Sequence, residues 1–212
     1  MKYIFELTSK VQESESHIEK HHKVIEGLKL ISEPWGIDNG EYPTPEFGSG
    51  ITATFSLNRL LKNRIKGDII YGYRKNMTIQ NEDKIFIEFN PKKIDYVHFI
   101  ENVFKKYIFF FNPFEALVYN QNVIFYDYEN RNQSDLSIFF RFHPIFFWDA
   151  GYCMRNLRIS LVDFKAEISG FVEYSELFQN GIIVVVNSKL LTLQESNEID
   201  LNLKAIFSKA LE

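Results

Sequence analysis

The sequence has little of what marks several large classes of proteins. A single cysteine, Cys153, among 212 residues excludes an internal disulfide framework. With 10 glycines and 6 prolines, the chain is not of low complexity. No apolar run approaches the roughly 18 residues of a membrane-spanning helix, and the first residues lack the apolar stretch and cleavage site of a secretory signal peptide. We therefore expect a cytoplasmic protein that does not enter a membrane.

Catalytic and ligand-binding motifs are also missing. The sequence contains no glycine-rich phosphate loop, no nucleophile elbow and no paired-cysteine zinc site. We expect that the protein is not an enzyme and that it binds no metal and no cofactor. Its formal net charge of −4 and its pI of about 5.8 argue against a chain that binds nucleic acid over its whole surface.

The sequence does contain enough apolar material for a sizeable core. Apolar residues make up 45% of the chain, and phenylalanine alone occurs 21 times. This composition supports one large domain or two small ones, with a core rich in aromatic rings. We expect a single unit over residues 1–212, with possible halves at 1–80 and 81–212.

The centre of the predicted core, within residues 84–128, is a strand, a helix, and then a second strand pair or one long bent strand over 116–125. Alternation of apolar residues over Lys84–Asn90 predicts a half-buried strand, which Pro91 ends because proline has no N–H for a ladder. Asp95 can cap a helix that runs to about Phe111. One face of this helix collects the apolar residues at three- and four-residue spacing. These are Val97, Ile100, Phe104, Tyr107, Ile108 and Phe111.

The start of the chain predicts a similar strand and helix. Residues Lys2–Leu7 alternate as a strand does, and Ser16 with Glu19 can form a capping box at the start of a helix. That helix ends near Pro34, as the central helix ends at Pro113. The two strand–helix units suggest pseudo-repeated halves.

The remaining elements complete an α+β prediction with antiparallel or mixed sheets and packed helices. Strands are predicted over 137–142, 165–174 and 181–186, turns over 119–122 and 143–149, and strand or helix over 51–65. Ser196 or Asn197 can cap a final helix. Residues 36–50 form a long loop that contains acidic side chains and no lysine or arginine, and loops of this length are often functional.

Three groups of residues invite a catalytic or metal-binding interpretation. His17 and His21 are four residues apart on a predicted helix, so both could bind one metal ion. No third ligand is evident, and a polar helix face is therefore a simpler explanation than a metal site. Cys153 and His143 could be a nucleophile and its base. The alternative is that Cys153 is a buried structural residue. The third group could supply paired carboxylates for acid–base catalysis, and it consists of Asp127, Glu129 and Asp149. The alternative is that these are ordinary acidic residues in turns. His22 accompanies the histidine pair.

A single segment is basic, and it supports an alternative function. Its cations alternate with Tyr71 and Tyr73, a composition that occurs in small nucleic-acid-binding surfaces. The cations are Arg59, Lys62, Arg64, Lys66, Arg74 and Lys75. A solvated helix and hairpin that face acidic neighbours would have the same composition, and the acidic remainder of the chain favours that interpretation.

The order of features resembles the immunity protein 52 family of bacterial toxin–immunity systems. The resemblance spreads over most of the chain. It is carried by Pro34-Trp35, the helix ending at Pro113, the strand Glu115–Val118, Phe139–Phe142 with the turn His143-Pro144, the strand Gly181–Val186 and the closing helix to Leu211. The resemblance implies a non-enzymatic cytoplasmic protein that binds and neutralises a cognate toxin, and the family's toxins include nucleases.

If the toxin is a nuclease, carboxylates of this chain can occupy a cleft that otherwise binds phosphates. Aromatic side chains near them are suited to anchor the contact, because binding hot spots favour such residues. The candidate contact residues are Asp38, Glu41, Tyr42, Glu46, Phe47, Asp127, Tyr128 and Glu129. We expect no membrane partner, and nucleic acid only under the alternative function.

Overall fold

The computed structural model describes residues 1–48, 50–74, 82–129 and 141–211. The chain forms two compact units, of which the first is Phe5–Pro113 and the second joins Met1–Ile4 to Phe114–Glu212. The boundary at Pro113 differs from the division at residue 80 that the sequence suggests, because the central strand and helix belong with the strands before them. Both units contain antiparallel strands and packed helices, so the predicted α+β class is confirmed.

Within its described residues, the first unit contains four strands and two main helical segments, and the first two residues of its first strand belong to the second unit. The elements are β1 (Tyr3–Lys10), α1 (His17–Lys29), β2 (Thr52–Ser56), β3 (Lys66–Gly72), β4 (Glu82–Phe89), α2 (Tyr96–His98) and α3 (Phe104–Phe111). The strand order is β2-β3-β4-β1. β3 pairs antiparallel with both β2 and β4, so Ile69 stands opposite Phe55 on one side and Ile85 on the other. β2 is therefore an outer strand.

Local signals in the sequence placed the two helices of this unit correctly. Ser16 and Glu19 form the predicted capping box at the start of α1. The Asp95 carboxylate accepts the backbone N–H of His98 at 2.9 Å, and Asn112 ends α3 in the left-handed conformation. Residues 57–65 form turns and no helix, although their leucines have helical spacing.

The predicted apolar face of the central helix is correct except at its start. Val97 is 57% exposed, and Tyr96 is buried in its place. The reason is the π-helical turn Phe99–Val103 between α2 and α3, because one extra residue per turn rotates everything before it relative to the rest of the helix. The run of apolar and aromatic residues Tyr107–Phe111 suggests a helix that is covered on most sides. Phe109 is 69% exposed, however, so one side of the helix faces solvent.

The second unit contains the remaining elements. They are β5 (Glu115–Asn120), α4 (Gln121–Glu129), β6 (Ile145–Asp149), α5 (Ala150–Leu157), α6 (Leu161–Ile168), β7 (Tyr174–Phe178), β8 (Gly181–Val185) and α7 (Leu193–Leu211). These strands are ordered β5-β6-β8-β7, and each neighbouring pair is antiparallel. β8 lies inside this order and is buried along its length, which confirms the strand predicted at this position from its almost uniformly apolar residues. Rings of β6 pack closely, with the centroids of Phe146 and Trp148 4.2 Å apart.

Two predicted turns of the second unit are wrong. The turn at 119–122, with a strand after it, is instead the end of β5 and the start of α4, where the Asn120 side chain accepts the N–H of Asn122 at 3.1 Å. The turn at 143–149 contains β6. Both faces of β6 are buried, so it has no polar alternation to reveal it.

Two other predictions miss helix starts. Residues 165–174, predicted as a strand, contain the end of α6, which begins after Ser160 with the side chain of this serine accepting the N–H of Asp163 at 3.2 Å. α7 begins after Thr192 in the same way and before the predicted cap Ser196, which is buried. The predicted strand over 137–142 lies largely outside the described residues. Among the residues that the structure describes, no helix has the length and apolar character needed to cross a membrane.

Candidate functional site

The acidic loop, residues 38–47, follows α1 in the first unit and has an ordered centre. The carboxylate of Asp38 accepts the Tyr42 hydroxyl, and it also accepts the N–H of Gly40 at 2.9 Å. The hydrogen bond from Tyr42, followed by that from Gly40, lowers the pKa of Asp38. Partial burial and the Asp38 charge raise the pKa of Tyr42 to about 12. At neutral pH the loop therefore presents a fixed carboxylate with a neutral phenol bound to it.

The other predicted contact residues of the acidic loop divide into exposed and packed ones. The carboxylates of Glu41 and Glu46 are exposed. Phe47 is half-buried and packs edge-on against two rings, with centroid distances of 4.7 Å to His17 and 5.5 Å to Tyr73. Phe47 thus attaches the loop to α1 and to the strand region behind it, while the two glutamates remain accessible to a partner.

The histidines of α1 do not form a simple polar face. His21 is fully buried, its Nδ1 lies 2.9 Å from the Tyr71 hydroxyl, and its ring packs edge-on against Phe55. Lys20 is also buried and donates to the carbonyl of Phe111 at 2.7 Å. The interpretation of the histidines as a polar helix face is therefore wrong at His21. Within the described ranges, no group of three or more His, Cys, Asp or Glu side chains could hold a metal ion.

Acidification is expected to destabilise the protein through His21. Burial, followed by the charges of His22 and His17, lowers the pKa of His21 from 6.5 to about 4. The unfolded chain therefore binds a proton at a pH where the folded chain does not, and stability present above pH 6.5 is lost as the pH falls towards 4. The loss approaches about 3 kcal/mol, at about 1.4 kcal/mol per pKa unit.

Urea unfolding of the wild type and of His21→Gln between about pH 7 and about pH 4 measures this effect. The glutamine keeps a polar group beside Tyr71 and does not titrate, so the variant should lose less stability on acidification. His98→Gln, at an exposed position of α2, is the matched control. Equal pH dependence of the wild type and His21→Gln would show that His21 does not supply the effect.

Cys153 and His143 are both buried within the second unit, and the pKa shifts of both oppose activation. Burial, with the Asp149 charge, raises the pKa of the Cys153 thiol to about 12, whereas a reactive cysteine needs a lowered pKa. Burial, with Arg141 and Lys204, lowers the pKa of His143 to about 3. The interpretation of Cys153 as a buried structural residue is confirmed. The Asp149 side chain accepts the N–H of Tyr152 and so caps α5.

The remaining predicted contact residues lie on α4, in the second unit. Asp127 is half-buried and paired with Arg141, whose Nη1 lies 2.6 Å from its carboxylate. Burial raises the pKa of Asp127, although Arg141 opposes the shift. Tyr128 is 75% exposed and Glu129 is exposed as well. Asp127 therefore fixes the helix, and the two residues after it face solvent.

Two exposed apolar residues of α4 are not among the contact residues predicted from the sequence. Ile124 and Phe125 are exposed near Tyr128 in the chain, although their apolar pattern predicts a strand of the core and not an exposed helix face. The other end of the Arg141 guanidinium donates to the Asn197 side chain. The hydrogen bonds from Arg141 to Asp127 and to Asn197 therefore connect α4 to α7. We call Ile124, Phe125, Tyr128 and Glu129 the α4 surface.

The basic segment carries less free charge than its sequence suggests. Arg74 is bound by Asp83 through two hydrogen bonds of 2.7 Å, so its charge is neutralised inside the first unit. Lys75 lies outside the described residues. The remaining cations are exposed on the turns before β3 and on β3 itself, namely Arg59, Lys62, Arg64 and Lys66. Asn63 and Arg64 have left-handed backbone conformations, with φ of 55° and 63°.

A groove at one end of β2 brings together residues that the sequence analysis assigned to different functions. It has a volume of about 570 Å³ and is lined by Tyr42, Phe55, Ser56, Asn58, Arg59 and Leu60. Tyr42 comes from the acidic loop and Arg59 from the basic segment. Nothing in the local sequence indicates this pairing, because the two residues belong to a loop and a turn on either side of β2. We call this feature the β2 groove.

Comparison with known proteins gives a fold relationship and no family. No family model matches the chain, and no curated protein matches it, so membership of the immunity protein 52 family is not shown. A solved structure of the Pseudomonas aeruginosa T6SS protein PA0821 matches with a TM-score of 0.54 and 8% sequence identity, over 97% of this chain and 75% of that one. The chain is therefore similar in fold to a T6SS protein.

Proposed function

We propose that this chain is an immunity protein, which binds a toxin used in competition between bacteria and blocks its action without catalysing a reaction. The observation that supports the proposal most directly is the fold likeness, over 97% of the chain, to a T6SS protein. The order of sequence features that resembles the immunity protein 52 family points the same way. The toxin, in this proposal, is the cognate partner, and a nuclease is the preferred class.

The acidic loop is the surface proposed to enter a basic toxin cleft. Glu41 and Glu46 are exposed, and Asp38 is held in place by Tyr42 and Gly40. Fixed carboxylates attract a basic cleft over a long range and raise the association rate. An ordered loop also loses less conformational entropy on binding than a flexible one.

The α4 surface is the second proposed contact. Tyr128 and Phe125 offer large exposed rings, which are typical of binding hot spots. The Asp127–Arg141–Asn197 connection holds the helix that carries them, so the rings are presented on a fixed scaffold. Each surface can be tested alone, because the two belong to different units.

Charge reversal in the acidic loop is expected to weaken toxin binding. The double variant Glu41→Lys, Glu46→Lys places two cations against the proposed basic cleft, and a loss of at least about tenfold in affinity is expected, mainly through slower association at low salt. Isothermal titration calorimetry and stopped-flow association with the purified toxin measure it. The charge-matched control is Glu101→Lys, Glu167→Lys, which changes exposed positions elsewhere. Unchanged affinity of the first variant, with folding intact, would remove the acidic loop from the interface.

Affinity purification from the native cell tests the proposed function itself. The tagged chain is recovered from lysate together with its bound molecules, and the product of the neighbouring reading frame is the first candidate partner. A single stoichiometric protein that kills the cell when it is expressed alone would support the proposal. A partner that is harmless when expressed alone would contradict it.

A nucleic-acid accessory role is the second candidate, and the exposed cations from Arg59 to Lys66 favour it. It predicts recovery of DNA or RNA in the same purification, with an affinity that falls steeply as salt rises. The burial of Arg74 against Asp83 reduces the charge available for this role.

A further inference from the structure

We infer that the outer edge of β2, with the β2 groove beside it, binds an extended acidic segment of a partner protein, which pairs with β2 as an added strand. The inference rests on the proposed function in one respect only, that the natural partner is a protein; the segment would then belong to the toxin. It adds a mode of binding and a chemical preference that the acidic loop does not supply.

The first observation is the position of β2 in its sheet. β2 stands at the end of the order β2-β3-β4-β1 and pairs with β3 along Thr52–Ser56. Among the residues that the structure describes, no strand pairs with its other edge. An outer strand keeps a row of backbone N–H and C=O groups available for another strand. Addition of an extended segment to such an edge is a common mode of peptide recognition.

The second observation is the shape of the groove at the Ser56 end of this edge. Tyr42, Phe55 and Leu60 supply apolar atoms, and its volume of about 570 Å³ is sufficient for side chains of an added segment. Asn58 fixes the turn, because its Nδ2 donates to Ser56 Oγ at 2.8 Å and its Oδ1 accepts the N–H of Gly67 at 3.1 Å. The groove is therefore formed before a ligand arrives.

The third observation is the charge around the groove. Arg59 lines it with an exposed guanidinium, and no ion pair of Arg59 occurs within the described part of the chain. Lys62 and Arg64 are exposed on the same turns. A carboxylate on the added segment can pair with the planar guanidinium through two hydrogen bonds. The charge therefore selects an acidic segment, and the apolar lining selects a neighbouring apolar side chain.

The same cations would attract nucleic acid, but the aromatic residues argue for a peptide. Stacking of bases requires exposed ring faces. Phe55 is only 9% exposed, which leaves too little of its ring for stacking, and Tyr42 is half-buried with its hydroxyl bound to Asp38. A strand edge, in contrast, offers hydrogen bonds that match a peptide backbone and have no counterpart in a phosphate backbone.

Selection from a phage-displayed library of random dodecapeptides against the intact chain tests the inference. Enriched peptides are expected to combine acidic and apolar residues, and the best of them, labelled with fluorescein, to bind in fluorescence anisotropy. Arg59→Glu should weaken binding at least tenfold, as should N-methylation of alternate peptide amides, which removes ladder donors. Arg155→Glu, at an exposed position of α5, is the matched control and should leave binding unchanged. Amide chemical shifts of Thr52–Ser56 should move on binding.

Three results would overturn the inference. No enrichment of acidic peptides is one, and undiminished binding to Arg59→Glu is another. The third is Arg59-dependent binding of fluorescein-labelled oligo(dT) with no peptide enriched, which would assign the groove to nucleic acid. A failure here leaves the proposed function standing, because recovery of a lethal partner from the cell does not depend on this groove.

Discussion

Replacing Asp83 by alanine is expected to lower the free energy of unfolding by about 3–5 kcal/mol, which is the usual effect of removing one partner of a buried ion pair. Asp83 is 1% exposed and binds Arg74 through both carboxylate oxygens. It also accepts the N–H of Gly72 at 3.0 Å. Without it, the largely buried Arg74 guanidinium loses its counter-charge and keeps only carbonyl acceptors, and the N–H of Gly72 loses its acceptor. Chemical denaturation followed by circular dichroism measures the change.

Two further variants separate the ion pair from a general effect of mutation. Asp68→Ala, on β3 and only partly buried, should change stability by no more than about 0.5 kcal/mol. Arg74→Met combined with Asp83→Ala removes the uncompensated charge and should be more stable than Asp83→Ala alone. A double variant that is less stable than the single one would contradict this account of the pair.

Truncation of Phe104 to alanine is the second change with a large expected effect, about 3–5 kcal/mol of lost stability. Phe104 is fully buried in the first unit. Its ring centroid lies 5.4 Å from that of Phe5 and 6.4 Å from that of Phe99, so the alanine leaves a cavity among rings that touch one another. The cavity adds to the lost burial of the ring itself.

The matched control for Phe104 stands on the same helix. Phe109 is 69% exposed, and Phe109→Ala should change the free energy of unfolding by about 0.5 kcal/mol or less. Guanidinium or thermal unfolding of the two variants under one set of conditions gives the comparison. Equal losses in both variants would contradict the assignment of Phe104 to the buried side of α3 and of Phe109 to its exposed side.

Elements with local signals were predictable from the sequence. Alternation defined β4, and side chains that cap within three residues defined the starts of α1 and α2 at Ser16 and Asp95. The same kind of signal at Ser160 and Thr192 was present, as Asp163 and Glu195 stand three residues later, and it would have placed α6 and α7. The sequence therefore contains the capping signals at which α6 and α7 begin.

Other errors have a physical origin that lies outside any local window. β6 is buried on both faces, so its residues carry no alternation, and Pro144 before it suggests a turn. The burial of His21 depends on Tyr71, 50 residues away in the chain. Val97 was misassigned because a π-helical turn cannot be read from apolar spacing.

The candidate site was predictable only in part. The acidic loop is predictable as an irregular segment because glycine and proline mark it, and the structure shows that Glu41 and Glu46 are exposed. The pairing of Asp127 with Arg141 and the meeting of Tyr42 with Arg59 arise from tertiary structure. The bond between Tyr42 and Asp38, which are four residues apart, depends on the local conformation of the loop. The sequence therefore indicates which acidic, basic and aromatic residues could contact a partner, and the tertiary structure determines which of them are exposed.

Rescue of growth by co-expression tests the central proposal most directly. The product of the neighbouring reading frame is expressed in a bacterial host under one inducible promoter, and this chain under another. The proposal predicts that the first protein alone stops growth, that the intact chain restores it, and that Glu41→Lys, Glu46→Lys restores it less well than the control Glu101→Lys, Glu167→Lys. Growth arrest that the intact chain fails to relieve, although both proteins accumulate, would contradict the proposal that this chain neutralises a toxin.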